Sequence, residues 1–464
     1  MASRGRHVVE PKVVVANRED LWWLLAEASQ LEHMIMCQYL FAEFSLKQGE
    51  TEGLSREQSE AVERWRAVLR GIAVEEMLHL ALVANLMASI GAAPTFARPN
   101  FPQRSNYFPA SVQLDLIPFG ERALKHFLYL ERPEGMERQD AEGFVPSAPA
   151  LEPLSEQELM PRGQEFLTIG HLYRGIENGL RMLTDKLGER AVFVGSPRAQ
   201  VTPELMGGWE QVIPVTGLES AFAAINEIIE QGEGARGDWR DAHYGRFLGI
   251  WDEYHAMGEA DPTFDATRPV LAAYTRHPFD IPADVPLITD PLTHRVAELA
   301  TVAYELVLQL LTRFFTHTEE TNEQLEVLIG TAIELMSSVI RPLGAALTQL
   351  PVGPPHDGRT AGLAFEMYYL MGNFVPWREP AWALLHERSA TMVEKCVAAA
   401  EQEGQVGALA DAGSQRTAHR PRTAVSRRGA PRTRGRRSRQ MFRARRKRRG
   451  GGASREGRAR RSAA

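Results

Sequence analysis

Apolar residues near the start of the chain recur every three or four positions, a period that predicts amphipathic helices. Asn17, followed three residues later by Asp20, is a capping pair at the N-terminus of the first such pattern. The apolar stripe then runs from Leu21 to Leu46, where Gly49 interrupts it. The first element is therefore predicted to be a helix of about seven turns.

A second capping box, Ser55 with Gln58, opens another helix that is predicted to end at Gly91. The segments 92–158 and 188–217 are rich in proline and glycine and are predicted to be irregular, with two short strands at Val112–Ile117 and Leu128–Glu131. Further helices are predicted at about 161–187, 218–231, 239–257, 292–316, 320–350 and 379–400. The fold class expected from this pattern is all-α.

Charge divides the chain into an acidic body and a basic tail. The net charge is −6, but 20 of the 53 lysines and arginines lie between Gly413 and Ala464 beside a single acid, Glu456. Such a segment cannot bury enough apolar surface to offset its chain entropy and is predicted to be disordered. Nucleic-acid contact by the tail would rest on charge alone, since Phe442 is its one aromatic residue. The domains expected are 18–256, 257–400 and 401–464.

Cysteine usage and hydropathy favour a cytoplasmic protein. Cys37 and Cys396 match no disulfide or zinc spacing, so we expect reduced thiols. Residues 1–12 lack the apolar run of a signal peptide. No uninterrupted run of 18 apolar residues exists, so no membrane span is expected.

The sharpest chemical feature is Glu76-Met-Leu-His79 in the second helix. Residues three apart share a helix face, and both side chains fall within the apolar stripe. A buried carboxylate needs a partner, because unpaired burial is costly or forces protonation. A metal ion is one such partner, and the alternative is a structural hydrogen bond between the two side chains.

Two other helices also direct polar side chains inward. Glu32 lies within the apolar stripe of the first helix, whereas its neighbour His33 points away. His243 falls on the apolar face of its own helix, although no Glu stands three residues before it. Glu233, in a glycine-flanked break, either turns back to complete the site or belongs to a surface loop. An inward Glu followed by an inward Glu-x-x-His is the pattern of carboxylate bundles, whose oxygen and imidazole donors suit iron or manganese.

The third helix offers three candidate ligands, and the pattern does not choose among them. Glu177 sits at the edge of the apolar stripe. Glu165 lies nearer its centre but close to the helix start, where an acid also meets the helix dipole. His171 falls on the opposite face of a regular helix. Glu75, in the second helix, is a further candidate near the edge of its stripe.

Several stretches resemble a known family. They are Leu31-Glu-His-Met-Ile-Met-Cys-Gln-Tyr-Leu40, Val74-Glu-Glu-Met-Leu-His-Leu-Ala-Leu-Val-Ala-Asn85, Thr168-Ile-Gly-His-Leu-Tyr173 and Ala242-His-Tyr-Gly-Arg-Phe247. They resemble the bacterial ferritin-like domain of the iminophenyl-pyruvate dimer synthases of violacein- and rebeccamycin-type pathways, specifically over 18–256 and more loosely to about 400. The resemblance implies a ferritin-like four-helix bundle with additional C-terminal helices. It does not carry over the synthase activity, because those synthases are much longer chains.

The function expected from these residues is that of a metal-dependent oxidative enzyme of secondary metabolism. Its substrate would be a small amino-acid-derived molecule, such as an aromatic one, and its cofactor iron, as one ion or two, or manganese. The ligands expected are Glu32, Glu76 and His79 for one ion, with Glu177, Glu233 and His243 holding or bridging a second. The alternatives are a metal-binding protein without an organic substrate and a structural bundle without metal. A homo-oligomer is compatible with each of these functions.

Overall fold

The computed structural model describes residues 12–104, 112–142, 163–234, 238–278, 280–281, 284–368 and 375–402. Regular structure in these ranges is almost entirely helical, which confirms the all-α prediction. The helices are α1 (Arg18–Ser45), α2 (Arg56–Ser89), α3 (Glu121–Leu130), α4 (Ile169–Leu187), α5 (Glu189–Val192), α6 (Leu218–Gly232), α7 (His243–Ala260), α8 (Pro291–Phe315), α9 (Asn322–Leu335), α10 (Arg341–Leu347) and α11 (Arg378–Gln402). Of the tail predicted at 401–464, residues 401 and 402 end α11, and the rest lies outside the described residues.

Both predicted capping boxes are present. The Asn17 side chain accepts a hydrogen bond from the Asp20 N–H at 3.0 Å, and the Asp20 carboxylate accepts one from the Asn17 N–H at 3.2 Å. Ser55 and Gln58 make the same reciprocal pair at the start of α2, at 3.2 and 2.8 Å. These bonds satisfy N–H groups that have no partner within the helix, so they fix where α1 and α2 begin.

Two predicted elements differ in the structure. The helix expected from about 161 begins at Ile169, because the Thr168 hydroxyl accepts the His171 N–H at 3.1 Å and caps it there. The strand predicted at Leu128–Glu131 is wrong, since these residues form the last turn of α3 and its cap. The buried apolar residues of that helix have helical spacing, namely Ala123, Leu124, Phe127, Leu128 and Leu130.

Four helices close into a bundle. α1 packs on α2 and α4, and α6 packs on both α2 and α4, so each of the four touches two neighbours. α3 and α7 pack together, and α7 also contacts α2 and α6. The interior of this bundle is where the apolar stripes of α1 and α2 meet.

The C-terminal helices pack directly on α1. Gly344 of α10 lies so close to Phe44 of α1 that an added Cβ would sit 2.5 Å from the Phe44 ring. Arg268 donates hydrogen bonds to the Phe44 carbonyl at 3.2 Å and to the Thr348 hydroxyl at 2.9 Å. The contacts between the bundle and these later helices are therefore both apolar and polar.

Strands are short in the described part of the chain. β1 (Gln103–Arg104) pairs antiparallel with β2 (Gln113–Leu114), and β3 (Val270–Ala273) pairs parallel with β4 (Thr360–Leu363). The register of the second pair places Val270 opposite Thr360. This pair connects the segment before α8 to the segment after α10.

One helical run, Asn322–Leu347, is long and apolar enough to cross a membrane by length and composition. It comprises α9, a π-helical turn at Met336–Ile340 and α10. Its buried residues, among them Leu325, Leu328 and Ile329, lie on one side, and α9 packs against α8. About a third of its apolar window is buried, 33%, and a single helix of this kind is weak evidence for a membrane span.

Candidate metal centre

Five buried side chains converge where α1 and α2 of the bundle meet α3 and α7, which pack against it. α1 supplies Glu32, α2 supplies Glu76 and His79, the C-cap of α3 is Glu131, and α7 begins with His243. Each of the five is at most 2% exposed. Such a concentration of carboxylates and imidazoles away from water requires mutual pairing or a bound cation.

The first group consists of Glu32, Glu76 and His79. Nδ1 of His79 lies 3.1 Å from Oε2 of Glu76 and 3.5 Å from Oε2 of Glu32. Each residue offers one donor atom, and these atoms all lie within 4.8 Å of one another. That spread allows all three to reach one ion.

The second group consists of Glu76, Glu131 and His243, which meet the same 4.8 Å criterion. Nδ1 of His243 lies 3.0 Å from Oε1 of Glu76 and 3.6 Å from Oε2 of Glu131. Glu76 therefore belongs to both groups, with Oε2 toward His79 and Oε1 toward His243. A carboxylate in this position can bridge two ions.

The outer nitrogen of each histidine has its own partner. Nε2 of His79 lies 3.1 Å from Oε1 of Gln231, and Nε2 of His243 lies 2.9 Å from Oε2 of Glu75. Arg246 donates to the same Glu75 oxygen at 2.5 Å. These acceptors favour a proton on Nε2 and leave Nδ1 directed at the carboxylates, which is the arrangement that orients a metal-binding imidazole.

Two tyrosine hydroxyls hold the outer carboxylates. Tyr173 of α4 donates to Oε1 of Glu32 at 2.5 Å, and Tyr39 of α1 donates to Oε1 of Glu131. Both tyrosines are fully buried. Each outer carboxylate thus has one oxygen fixed by a hydroxyl and the other directed toward a histidine.

Electrostatics in the cluster depend on its burial and its mixed charges. Burial, followed by the nearby charge of Glu76, raises the pKa of Glu32 to about 8. Burial alone would raise the pKa of Glu76, but His79 and His243 outweigh it and hold that pKa below its usual range. Burial opposes the charged form of His79, yet Glu76 and Glu32 raise its pKa to about 10. The protein alone therefore balances the carboxylates with imidazolium protons.

The donors present fit a metal ion. Nδ1 of His243 is buried without a hydrogen-bond partner among the described residues, although it lies between two carboxylates. A nitrogen that faces two carboxylates without a well-aligned hydrogen bond to either is placed to share an ion with them. Three carboxylates and two imidazoles are the donor types that suit iron or manganese.

The structure does not bring every sequence-predicted residue to this cluster. Glu177 instead pairs with Arg174 at 2.7 Å and Arg181 at 3.1 Å on α4. Glu233, the C-cap of α6, is buried, but its oxygens accept the N–H groups of Gly170 at 2.7 Å and Glu134 at 3.0 Å. The carboxylates of Glu177 and Glu233 are therefore bound to partners that lie outside the two groups.

The other candidates from the predicted third helix, which is α4 in the structure, also lie outside the two groups. His171 is in the first turn of α4, where its Nδ1 accepts the Leu167 N–H at 3.2 Å. Glu165 precedes α4 altogether. The contribution of α4 to the cluster is the hydroxyl of Tyr173 rather than an acid or a histidine.

Sequence reasoning missed Glu131. It lies four residues after Phe127 and three after Leu128, so it continues the buried face of α3. Gly120 before the helix and Pro133 after it are ordinary boundary signals. Recognising this short helical period would have predicted one more inward carboxylate.

A helical bundle whose interior carries two carboxylate–histidine groups sharing one carboxylate has the donor arrangement typical of ferritin-like carboxylate bundles. Residues 25–252 match the ferritin-like family model, and this part of the chain is a ferritin-like domain. This match confirms the predicted ferritin-like fold, and the match together with the two curated relatives below confirms the predicted resemblance.

Two curated relatives are each 26% identical to the chain. Dichlorochromopyrrolate synthase from Lentzea aerocolonigenes aligns over 406 residues, which are 78% of this chain and 37% of the synthase. The 2-imino-3-(indol-3-yl)propanoate dimerase from Chromobacterium violaceum aligns over 372 residues, which are 75% of this chain and 34% of the dimerase. The chain thus spans about a third of the length of these relatives.

One solved structure is also similar. It is the crystal structure of a ferritin-like protein from Caulobacter vibrioides, 17% identical, with a TM-score of 0.41. The match covers 70% of this chain and 96% of the Caulobacter chain.

Proposed function

We propose that this protein is a metal-dependent oxidative enzyme whose centre binds two ions of iron or manganese. The observation that carries the proposal is the position of Glu76, which faces His79 with one oxygen and His243 with the other. Glu32 and Glu131 would complete the two ion sites. Bound iron or manganese would supply Lewis acidity and redox chemistry that no side chain offers.

The protein's own residues prepare the site for such ions. Gln231 and Glu75 fix the imidazole rings from outside, and Tyr173 and Tyr39 fix the outer carboxylates. Because these contacts are formed within the bundle, the donors need little reorganisation on binding. Near-complete burial of the cluster excludes bulk water from it.

The relatives support a small organic substrate. One is named for a chromopyrrolate and the other for an indolyl propanoate. We extend to this chain only the class of amino-acid-derived metabolite, because the chain spans about a third of each relative. The rings of Phe247, Tyr39 and Phe127 lie 4.7 to 5.3 Å apart as centroid pairs and are fully buried, so they pack against each other rather than line an open aromatic pocket.

The first experiment is elemental analysis of the purified full chain after anaerobic reconstitution with iron or manganese. We expect about two ions per chain, and almost none in a Glu76→Ala/His79→Ala variant that keeps its helical circular dichroism. Glu177→Ala is the matched control, since it removes a carboxylate that pairs with arginines outside the cluster and should leave the metal content unchanged.

A Glu131→Ala variant tests whether the centre holds one ion or two. We expect this variant to keep the ion held by Glu32 and His79 and to lose the other. A chain that binds no metal after reconstitution would instead be a structural bundle. A chain that binds metal but consumes no dioxygen or peroxide with any amino-acid-derived substrate would be a metal-binding protein without catalysis.

A further inference from the structure

A second site for a small molecule lies away from the metal cluster. A cavity of about 640 Å³ opens between α8, α11 and the segments around Arg276 and Glu366. None of the five residues of the metal cluster lines it. Its volume is within the range of pockets that hold metabolite-sized ligands.

Basic side chains outnumber acidic ones among the described residues that line this cavity. The basic residues are Arg276, Arg295, Arg388 and Lys395, and the acidic residues are Glu298, Glu305 and Glu366. His277 also lines it. The excess of positive charge favours an anion.

Two of the three acids of the cavity already have hydrogen-bond partners within the protein. Glu366 accepts the Thr275 N–H at 2.6 Å, the Thr275 hydroxyl at 2.8 Å and the Tyr368 hydroxyl at 2.5 Å. Glu305 accepts the Tyr368 N–H at 3.1 Å and an Arg388 N–H at 3.3 Å. These carboxylates are therefore committed to holding the walls of the cavity.

Within the described part of the chain, Arg276 and Arg388 of the cavity have fewer hydrogen bonds to the protein than these two acids do. The guanidinium of Arg276 stacks 4.3 Å from the centre of the Tyr368 ring, and its nearest acid, Glu298, is 3.9 Å away, beyond hydrogen-bond distance. Nε of Arg388 is buried without a hydrogen-bond partner among the described residues. A guanidinium held by its face or by one nitrogen keeps N–H donors for a bidentate acceptor such as a carboxylate.

We propose that this cavity binds a small organic carboxylate. Its charged group would lie among Arg276, Arg388 and Lys395, and its apolar part would contact Leu299 and Val302 on α8. The apolar wall distinguishes this ligand from an inorganic anion, which would gain nothing from Leu299 and Val302. This site is independent of the proposed redox function, because it shares no residue with the metal cluster.

The test uses 4-phenylbutyrate as the probe and 4-phenylbutanol as its uncharged match, titrated calorimetrically into the full chain. We expect 4-phenylbutyrate to bind at least about tenfold more tightly than the alcohol, and an Arg276→Gln/Lys395→Gln variant to lose at least that factor. Both substituted side chains lie at the surface, so folding should be unaffected. Arg56→Gln/Lys186→Gln removes the same charge elsewhere on the surface and should bind normally.

Three results would overturn the proposal. They are equal binding of acid and alcohol, unchanged binding by the Arg276→Gln/Lys395→Gln variant, and binding of inorganic phosphate as tightly as 4-phenylbutyrate. The Glu76→Ala/His79→Ala variant keeps this test separate from the metal centre. It should bind 4-phenylbutyrate normally even when it holds no metal, and loss of binding there would place the probe at the metal cluster and sink the second site.

Discussion

Oε2 of Glu75 lies 2.9 Å from Nε2 of His243, on the side of the imidazole opposite to the Nδ1 that faces Glu76. His243 is fully buried, whereas the Glu75 side chain is 31% exposed. Burial alone would raise the pKa of Glu75, but its bond to His243 and the charges of His243 and Arg246 hold that pKa below its usual value. Glu75 is thus a charged acceptor that fixes the ring and makes Nδ1 a better donor.

The first prediction concerns this acceptor. Glu75→Ala should weaken binding of the ion held by His243 by about 10- to 100-fold, the range typical of partners outside the ligand set. Competition with a chromophoric chelator measures the affinity. Glu60→Ala, which removes a surface carboxylate paired with Arg56 on the same helix, is the control and should leave it unchanged. Equal losses in both variants would contradict a specific role for Glu75.

A second prediction concerns the hydroxyl of Tyr173. Tyr173→Phe leaves the buried carboxylate of Glu32 without its 2.5 Å donor. A buried acceptor without a hydrogen bond costs about 1–3 kcal/mol. In urea, the unfolding free energy of the metal-free variant should therefore be lower than that of the unsubstituted protein by this amount. If its unfolding free energy equals that of the unsubstituted protein, water or another donor replaces the hydroxyl and the tyrosine is dispensable there.

Gly170 gives a third prediction, because it allows Glu233 to approach the start of α4. A Cβ at this position would lie 2.4 Å from Oε2 of Glu233. Gly170→Ala should therefore destabilise the fold by about 1–3 kcal/mol, as other overpacked substitutions do. Gly249 is also helical, but a Cβ added there meets no described atom within 4 Å. Gly249→Ala should therefore stabilise the fold by about 0.5–1 kcal/mol.

Thermal and urea unfolding of the two glycine variants measure the contrast. Adding Glu233→Ala to Gly170→Ala removes the clashing carboxylate and should recover part of the loss. If Gly170→Ala is as stable as Gly249→Ala, the Glu233 carboxylate does not lie against Gly170.

The fourth prediction is a pH dependence at Glu27 in α1, five residues before the cluster. Burial raises the pKa of Glu27 to about 8, against an ordinary value of 4.5. Between those two pH values the folded state binds the proton and the unfolded state does not, so this group lowers stability as the pH rises. Glu27→Gln should match the unsubstituted protein below about pH 4.5, gain relative stability up to pH 8 and hold that gain above it.

Urea unfolding of the unsubstituted protein and Glu27→Gln across pH 5 to 9 tests this dependence. Glu57→Gln, in the exposed first turn of α2, is the matched control and should show no such trend. A constant difference between Glu27→Gln and the unsubstituted protein would mean that Glu27 stays ionised in the folded protein.

Much of the fold and part of the candidate site follow from periodicity. Glu32, Glu76 and His79 lie in the middle of long regular helices, where the 3.6-residue repeat fixes the direction of each side chain. His243 begins α7, and its inward direction follows from the apolar residues that come after it in the same helix. Local pattern is sufficient in these cases because the direction depends on the helix alone.

The remaining site residues depend on tertiary contacts that a local pattern does not contain. Glu177 lies at the edge of its stripe, and its direction is set by Arg174 and Arg181 one turn away on each side. Glu233 follows a helix end, where backbone N–H groups from two other segments determine its position. Glu131 was hidden by the short length of α3, since an apolar run of a few residues also matches a strand.

The shared carboxylate of Glu76 has a consequence for loading. An ion in one group would orient Glu76 and remove the proton from one histidine, which leaves the carboxylate better placed for the second ion. The two sites would then fill cooperatively, and a sample given half the metal it can hold would contain empty and doubly loaded chains rather than singly loaded ones. Native mass spectrometry would distinguish these populations directly.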